Sequence, residues 1–185
     1  KATYPVILHN LGELYMKKGE NDTALDYLNK AVSKSHEYSI PFVESSTLVL
    51  RANLLLEENR IKECLQDCKE SLNLINETKV DFLRGKVYIV IAKCLSRLTD
   101  EEDILSEETK NKYKEELDYM FKICKVDKAS AEKFFKRGIS KSKNPIFAET
   151  HIPALYEYAK FLYEKKNNKK DAVLLIKEAY QFALK

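Results

Sequence analysis

Glycine and proline are scarce in this 185-residue chain, four of each, and tryptophan is absent. So few breakers exclude a turn-rich all-β sandwich and a glycine-rich nucleotide fold. No apolar run reaches the ~18 residues of a membrane span. An excess of one charge is missing too. Thirty-two Lys and Arg stand against 29 Asp and Glu, a net charge of +3. Nucleic acid binding therefore has little electrostatic support. What is present is 44% hydrophobic and 33% charged residues, the balance of a globular chain rather than a disordered one. The length suits one domain or a short repeat array with a sizeable core. A cytoplasmic location is expected.

The four cysteines, Cys64, Cys68, Cys94 and Cys124, sit beside apolar residues at helical spacing. Buried free thiols are expected, because free Cys packs as a small hydrophobe. Cys64 and Cys68 share a helix face, but a metal pair needs further His or Cys ligands. His9, His36 and His151 are scattered and complete no such set. There is no phosphate-binding loop, zinc motif or nucleophile elbow. No enzyme activity, cofactor or metal is expected. Asn21 and Asn76 begin glycosylation sequons that a cytoplasmic chain would ignore.

Apolar spacing predicts helices over 4–18, 22–35, 40–57, 60–76, 79–97, 106–124, 129–141, 147–165 and 169–184, with no competing strand signal. Residues 99–110 are acidic and read as a long connection. Ser106 and Ser130 read as N-caps of the helices that follow them.

Periodicity organises these helices. Leu8, Leu11, Gly12, Tyr15, Gly19, Ala24, Leu28 and Ala31 set a large residue, a Leu-Gly pair, an aromatic, a turn glycine and a small–large–small triplet. Gly12 and Ala24 are small so that two helices can cross closely, and Tyr15, Leu28 and Leu8 fill the space around them. One repeat length later, Leu48, Ala52, Leu55, Cys64, Cys68 and Ser71 occupy the same slots, with Asn59 for the turn glycine. The same step again places Ala92 and Leu95 in a third unit. Leu155, Tyr158, Ala159 and Leu162, then Ala172, Ile176 and Ala179, form a fourth, and Asn167-Asn168 makes its turn.

The pattern resembles the tetratricopeptide repeat. The resemblance implies an all-α fold: a right-handed superhelix of stacked antiparallel hairpins, about eight or nine helices in one domain spanning 1–185. Units fall at about 4–38, 40–77, 79–124 and 147–184, with 129–141 an extra or degenerate helix outside the signature.

In such a solenoid the first helix of each hairpin lines the concave side. The candidate partner-binding residues there are Asn10, Glu13, Asn53, Lys93, Arg97, Tyr156 and Lys160, with Val49, Leu56 and Ile89 also placed on that face. Asn supplies a donor and an acceptor for a peptide backbone, Lys and Arg take carboxylates, and Tyr gives apolar contact. A chaperone-tail clamp is not matched, since His9, Glu13 and Leu50 stand where it wants Lys and Asn. Units of this length are similar to the peptide-sensing regulators of bacterial cell–cell signalling, which implies a receptor for a short peptide. The alternative is a scaffold subunit of a larger complex. An RNA-binding solenoid is less favoured, because the basic patch Lys86, Lys93 and Arg97 adjoins the acidic 99–110 stretch.

Overall fold

The computed structural model describes residues 3–79, 81, 83–100, 103–126 and 130–184. Among them the chain is all-α, with ten helices: α1 (Thr3–Lys18), α2 (Asn21–Glu37), α3 (Pro41–Glu57), α4 (Ile61–Thr78), α5 (Leu83–Leu98), α6 (Glu107–Lys112), α7 (Lys114–Cys124), α8 (Ala131–Ser142), α9 (Ala148–Glu164) and α10 (Lys169–Ala183). A single 3₁₀ turn, Pro145–Phe147, leads into α9. The helices group into two compact units, 1–83 and 84–185. Val80 and Phe82 of the expected fifth helix, Glu101 and Glu102 of the connection and Ala129 lie outside the described residues.

The first unit is two hairpins, α1–α2 and α3–α4, and its rhythm comes from its turns. Gly19, Ser39, Asn59 and Lys79, evenly spaced along the chain, all take the left-handed conformation. After the first three, the next amide reaches back five residues: Glu20 to Tyr15, Ile40 to Ser35 and Arg60 to Leu55, at 3.0, 2.8 and 2.8 Å. These bonds satisfy orphan carbonyls at the helix ends. Pro41 then opens α3, where a missing N–H costs nothing.

The small residues do what their size requires. Ala24 and Ala52 are fully buried. A Cβ on Gly12 would lie 2.5 Å from Leu28 Cδ2, so only glycine lets α1 approach α2 this closely. Leu28 and Leu54 close the core over Ala24, with Tyr15, Met16, Leu25 and Leu50 packed against them. Cys64 and Cys68 are fully buried free thiols of α4, in the slots that Ala24 and Leu28 hold in α2. Ser71, the third of that triplet, meets Ser45 at 2.8 Å between hydroxyls. Arg51 of α3 fastens three helices. It donates twice to Asp67 of α4, at 2.8 and 2.7 Å, and once to Asn29 of α2, at 2.8 Å.

The second unit changes one assignment. α8 lies against α5, not outside the repeat. A Cβ on Gly138 would meet Ile89 Cδ1 at 2.4 Å and the Gly85 carbonyl at 3.2 Å. The Tyr88 and Phe134 rings meet edge to face at 5.7 Å. Ala131, Phe135 and Gly138 have the spacing of Ala24, Leu28 and Ala31, so α8 carries the small–large–small triplet. The third hairpin is α5 with α8, and α6 and α7 are inserted between its halves. α7 still joins the core through Leu117, Met120 and Cys124, and Arg137 of α8 donates to the Cys124 carbonyl at its C-terminus. Phe135 then stacks on Tyr158 of α9 and meets the tilted ring of Phe161, each at 5.5 Å.

The acidic connection is shorter and more built than a solvated loop. Asp103 is buried, in the left-handed conformation. Its carboxylate accepts from Ser130 Oγ at 2.6 Å and from the amides of Ala131 and Glu132 at 2.9 and 3.1 Å. It caps α8 together with Ser130, whose hydroxyl accepts from the Lys133 amide at 3.2 Å. Ser106 caps α6 in the same way, accepting from the Thr109 amide at 3.1 Å.

Candidate partner-binding surface

The first helices position the candidate residues, and the repeat gives them a common slot. Each first helix has a small residue at its crossing: Gly12, Ala52, Ala92 and Ala159. The next residue is Glu13, Asn53, Lys93 and Lys160 in turn. One residue past a buried crossing lies about 100° around the helix, at the edge of the buried stripe. Glu13, Asn53 and Lys93 are accordingly half-buried and Lys160 is exposed.

In the first unit α1 and α3 stand side by side. His9 Nδ1 and the buried Thr47 hydroxyl share a hydrogen bond of 2.9 Å between them. Asn10 is exposed. Glu13 pairs with Lys17 one turn on, at 2.7 Å. Asn53 donates its amide to the Val49 carbonyl of its own helix at 3.1 Å, which holds the side chain against α3. Val49 and Leu56, expected on this face, are buried instead. They follow the core stripe of α3, which is wider than that of α1 because α3 packs against α1, α2 and α4.

In the second unit Lys93 meets Glu157 of α9 at 3.7 Å. Arg97 is exposed one turn further along α5, and Tyr156 and Lys160 are exposed one turn apart on α9. Ile89 is buried against Gly138 and is not available on the surface. The structure thus brings Lys93 beside α9 through Glu157, a carboxylate that helical spacing alone does not single out. Tyr156 and Lys160 line an open groove between α9 and α10 with Tyr163, Val173, Ile176 and Lys177.

Three buried titratable groups belong to packing. Burial pushes the Cys124 thiol up to about 11, offset in part by a hydrogen bond from Tyr88, so this cysteine is a poor nucleophile at neutral pH. Burial and the Glu132 carboxylate push the Tyr158 phenol up, and its hydroxyl donates to Glu132 at 3.1 Å. His151 is fully buried, sharing a 3.1 Å hydrogen bond with Ser142 and lying 4.4 Å from the Phe182 ring. Burial lowers its pKa. Among the described residues no group of three His, Cys, Asp or Glu is placed to hold a metal ion. No described helix is long and apolar enough to cross a membrane.

Residues 6–33, which cover most of α1, its turn and most of α2, match the family model of the tetratricopeptide repeat. The chain carries a tetratricopeptide repeat. The buried triplet Ala24, Leu28 and Ala31 and the turn at Gly19 fall within the match. The α3–α4 and α9–α10 hairpins repeat its left-handed turn, at Asn59 and Asn167, whereas the α5–α8 pair is interrupted by α6 and α7; the repeat points to a protein-interaction module. No curated protein matches the chain.

Proposed function

We propose that this repeat module receives a short extended peptide, or an unfolded segment of a partner protein, on the first helices of its hairpins. In this reading it is the peptide-receptor domain of a signalling regulator. Each unit offers its own set of contacts: Asn10, Glu13 and Asn53 in the first, and Lys93, Arg97, Tyr156 and Lys160 in the second. The supporting observation is the common slot. Four first helices carry Glu, Asn, Lys and Lys one residue past the buried crossing, where side chains are anchored at the base and polar at the tip.

An extended peptide presents unsatisfied backbone groups at each residue. Asn53 is suited to the amide of such a backbone, and Arg97 to an acidic side chain or terminus. A hydrogen bond contributes about 0.5–1.5 kcal/mol net, and a charge-assisted one about 1.5–3.

The test begins with peptides selected from a displayed library on the full chain. Calorimetry then compares the wild type with Asn53→Ala and Arg97→Glu. The first variant should lose roughly tenfold in affinity, and the second more, with a steeper salt dependence. If both bind like the wild type, the first helices are not the recognition surface. The scaffold reading, with a partner protein on another face, then takes its place.

A further inference from the structure

The first helices of the second unit are joined by an ion pair. Lys93 of α5 and Glu157 of α9 meet at 3.7 Å, with side chains 20% and 28% exposed. Counted from the buried crossings, the matching residues in the first unit are Glu13 of α1 and Leu50 of α3. Glu13 turns to Lys17 on its own helix, and Leu50, which carries no charge, packs on the core. The first unit thus closes the same junction without that pair. A half-buried pair costs desolvation that an apolar contact avoids, so packing alone does not call for Glu157.

The surroundings are mostly cationic. Arg97 is exposed one turn further along α5, and Lys160 is exposed three residues beyond Glu157 on α9, with Glu164 a turn beyond that. Glu157 is the carboxylate set against Lys93, and it has two effects on a ligand lying over the pair. It offsets the charge of Lys93, and it repels a second carboxylate brought to that ammonium. A neutral group with an acceptor and a donor meets both partners instead: its oxygen accepts from Lys93 and its N–H donates to Glu157. Backbone amides and the side chains of Asn and Gln are such groups. Arg97 lies four residues beyond Lys93, a rise of about 6 Å along the helix. Two residues of an extended peptide span about 6.6 Å.

We propose that Glu157 sets the specificity of the peptide surface: the Lys93–Glu157 pair takes a neutral amide and refuses a carboxylate, while an acidic residue about two positions away is taken by Arg97. This rests on the peptide reading and names the kind of peptide selected.

The probe is a displayed library of random peptides, selected in parallel on the full wild-type chain and on Glu157→Gln. The wild type should enrich Asp or Glu at one position, with Asn or Gln about two positions away. Glu157→Gln should enrich acidic residues at both. One recovered peptide is then synthesised with either Gln or Glu at the second position. By fluorescence anisotropy the wild type should bind the Gln form roughly tenfold more tightly, and Glu157→Gln should prefer the Glu form. Lys93→Gln should reject the Glu form more strongly than the wild type does. Both variants should melt with the wild type, since an ion pair this open to solvent contributes little to stability. Peptides of the same acid content on both proteins would overturn the specificity proposal and leave the peptide reading standing. No enrichment on either protein would overturn both. A Glu157→Gln protein that melts well below the wild type, with its peptide preference unchanged, would make the pair a brace between α5 and α9 instead.

Discussion

Gly85 and Gly138 face each other across the crossing of α5 and α8, each close to the other's carbonyl oxygen. A Cβ on Gly138 would lie 3.2 Å from the Gly85 oxygen, and one on Gly85 would lie 3.3 Å from the Gly138 oxygen. Glycine in mid-helix costs about 1 kcal/mol relative to alanine, and here it allows the two backbones to approach.

Gly138→Ala should therefore destabilise the protein despite its better helix propensity. The new methyl group meets Ile89, which can shift, and a backbone oxygen, which cannot. Overpacking of about 1–3 kcal/mol should outweigh the propensity gain. Gly85→Ala should cost less, since its nearest contacts are at 3.3 and 3.4 Å. Urea denaturation measures both. A Gly138→Ala protein more stable than wild type would show that the crossing is looser than this geometry.

Arg51 and Asp67 form a half-buried bidentate pair, with side chains 19% and 6% exposed. Burial pushes the Asp67 carboxyl up and the Arg51 hydrogen bonds draw it back. Arg51→Met alone should cost about 3–5 kcal/mol, because it strands a buried carboxylate. Adding Asp67→Leu should recover most of that loss. A double-mutant cycle by thermal denaturation checks this, and a double mutant as unstable as the single would refute it.

His151 should make stability fall in mild acid. Its folded pKa lies below the ordinary value of 6.5, so the unfolded chain binds the proton more readily. The neutral ring's contribution is complete above about pH 6.5 and is lost as the pH drops below it. His151→Phe should remove that slope between pH 7 and 5 while leaving the carboxylate titrations in place. Denaturation midpoints across this range provide the readout, and an unchanged slope would exclude His151 as its source.

Asp103 should matter more than an acidic loop residue ordinarily does. Asp103→Gly keeps its left-handed backbone at no strain but removes three hydrogen bonds, and should cost about 1.5–3 kcal/mol. Asp103→Asn retains an acceptor and should cost less. No loss in Asp103→Gly, measured by thermal denaturation, would mean that the carboxylate's bonds to α8 contribute nothing beyond the turn.

How much of this was legible follows from where each signal lies. Helices one to four were readable because their turns recur at a fixed interval, and a chain on that beat repeats its core positions at every second turn. The turn residue itself carried little of the message: Ser39 and Lys79 hold the same conformation as Gly19 and Asn59 without being obvious turn formers. The third hairpin was hidden for a different reason. Its second helix arrives late, after α6 and α7, so adding the repeat length to the earlier positions lands in the insertion. The triplet Ala131, Phe135 and Gly138 was in plain sight, but only at a spacing the insertion had shifted. The cap by Asp103 joins residues 27 to 29 positions apart, beyond the reach of any local pattern. Among the candidate surface residues, helical periodicity alone did not show that the core stripe of α3 widens enough to bury Val49 and Leu56.

The Asp103 cap has one further consequence. It pins the chain just after α5 to the start of α8, so the segment between leaves and returns at nearly one point. A loop closed at its base is insensitive to its own length, since doubling it costs only about 0.6 kcal/mol of closure entropy. Within this excursion α7 is anchored by Leu117 and Met120, but α6 has no buried residue. α6 is thus the natural port for a graft: a tag, a reporter domain or a longer helix inserted there would leave the register of the α5–α8 pair unchanged.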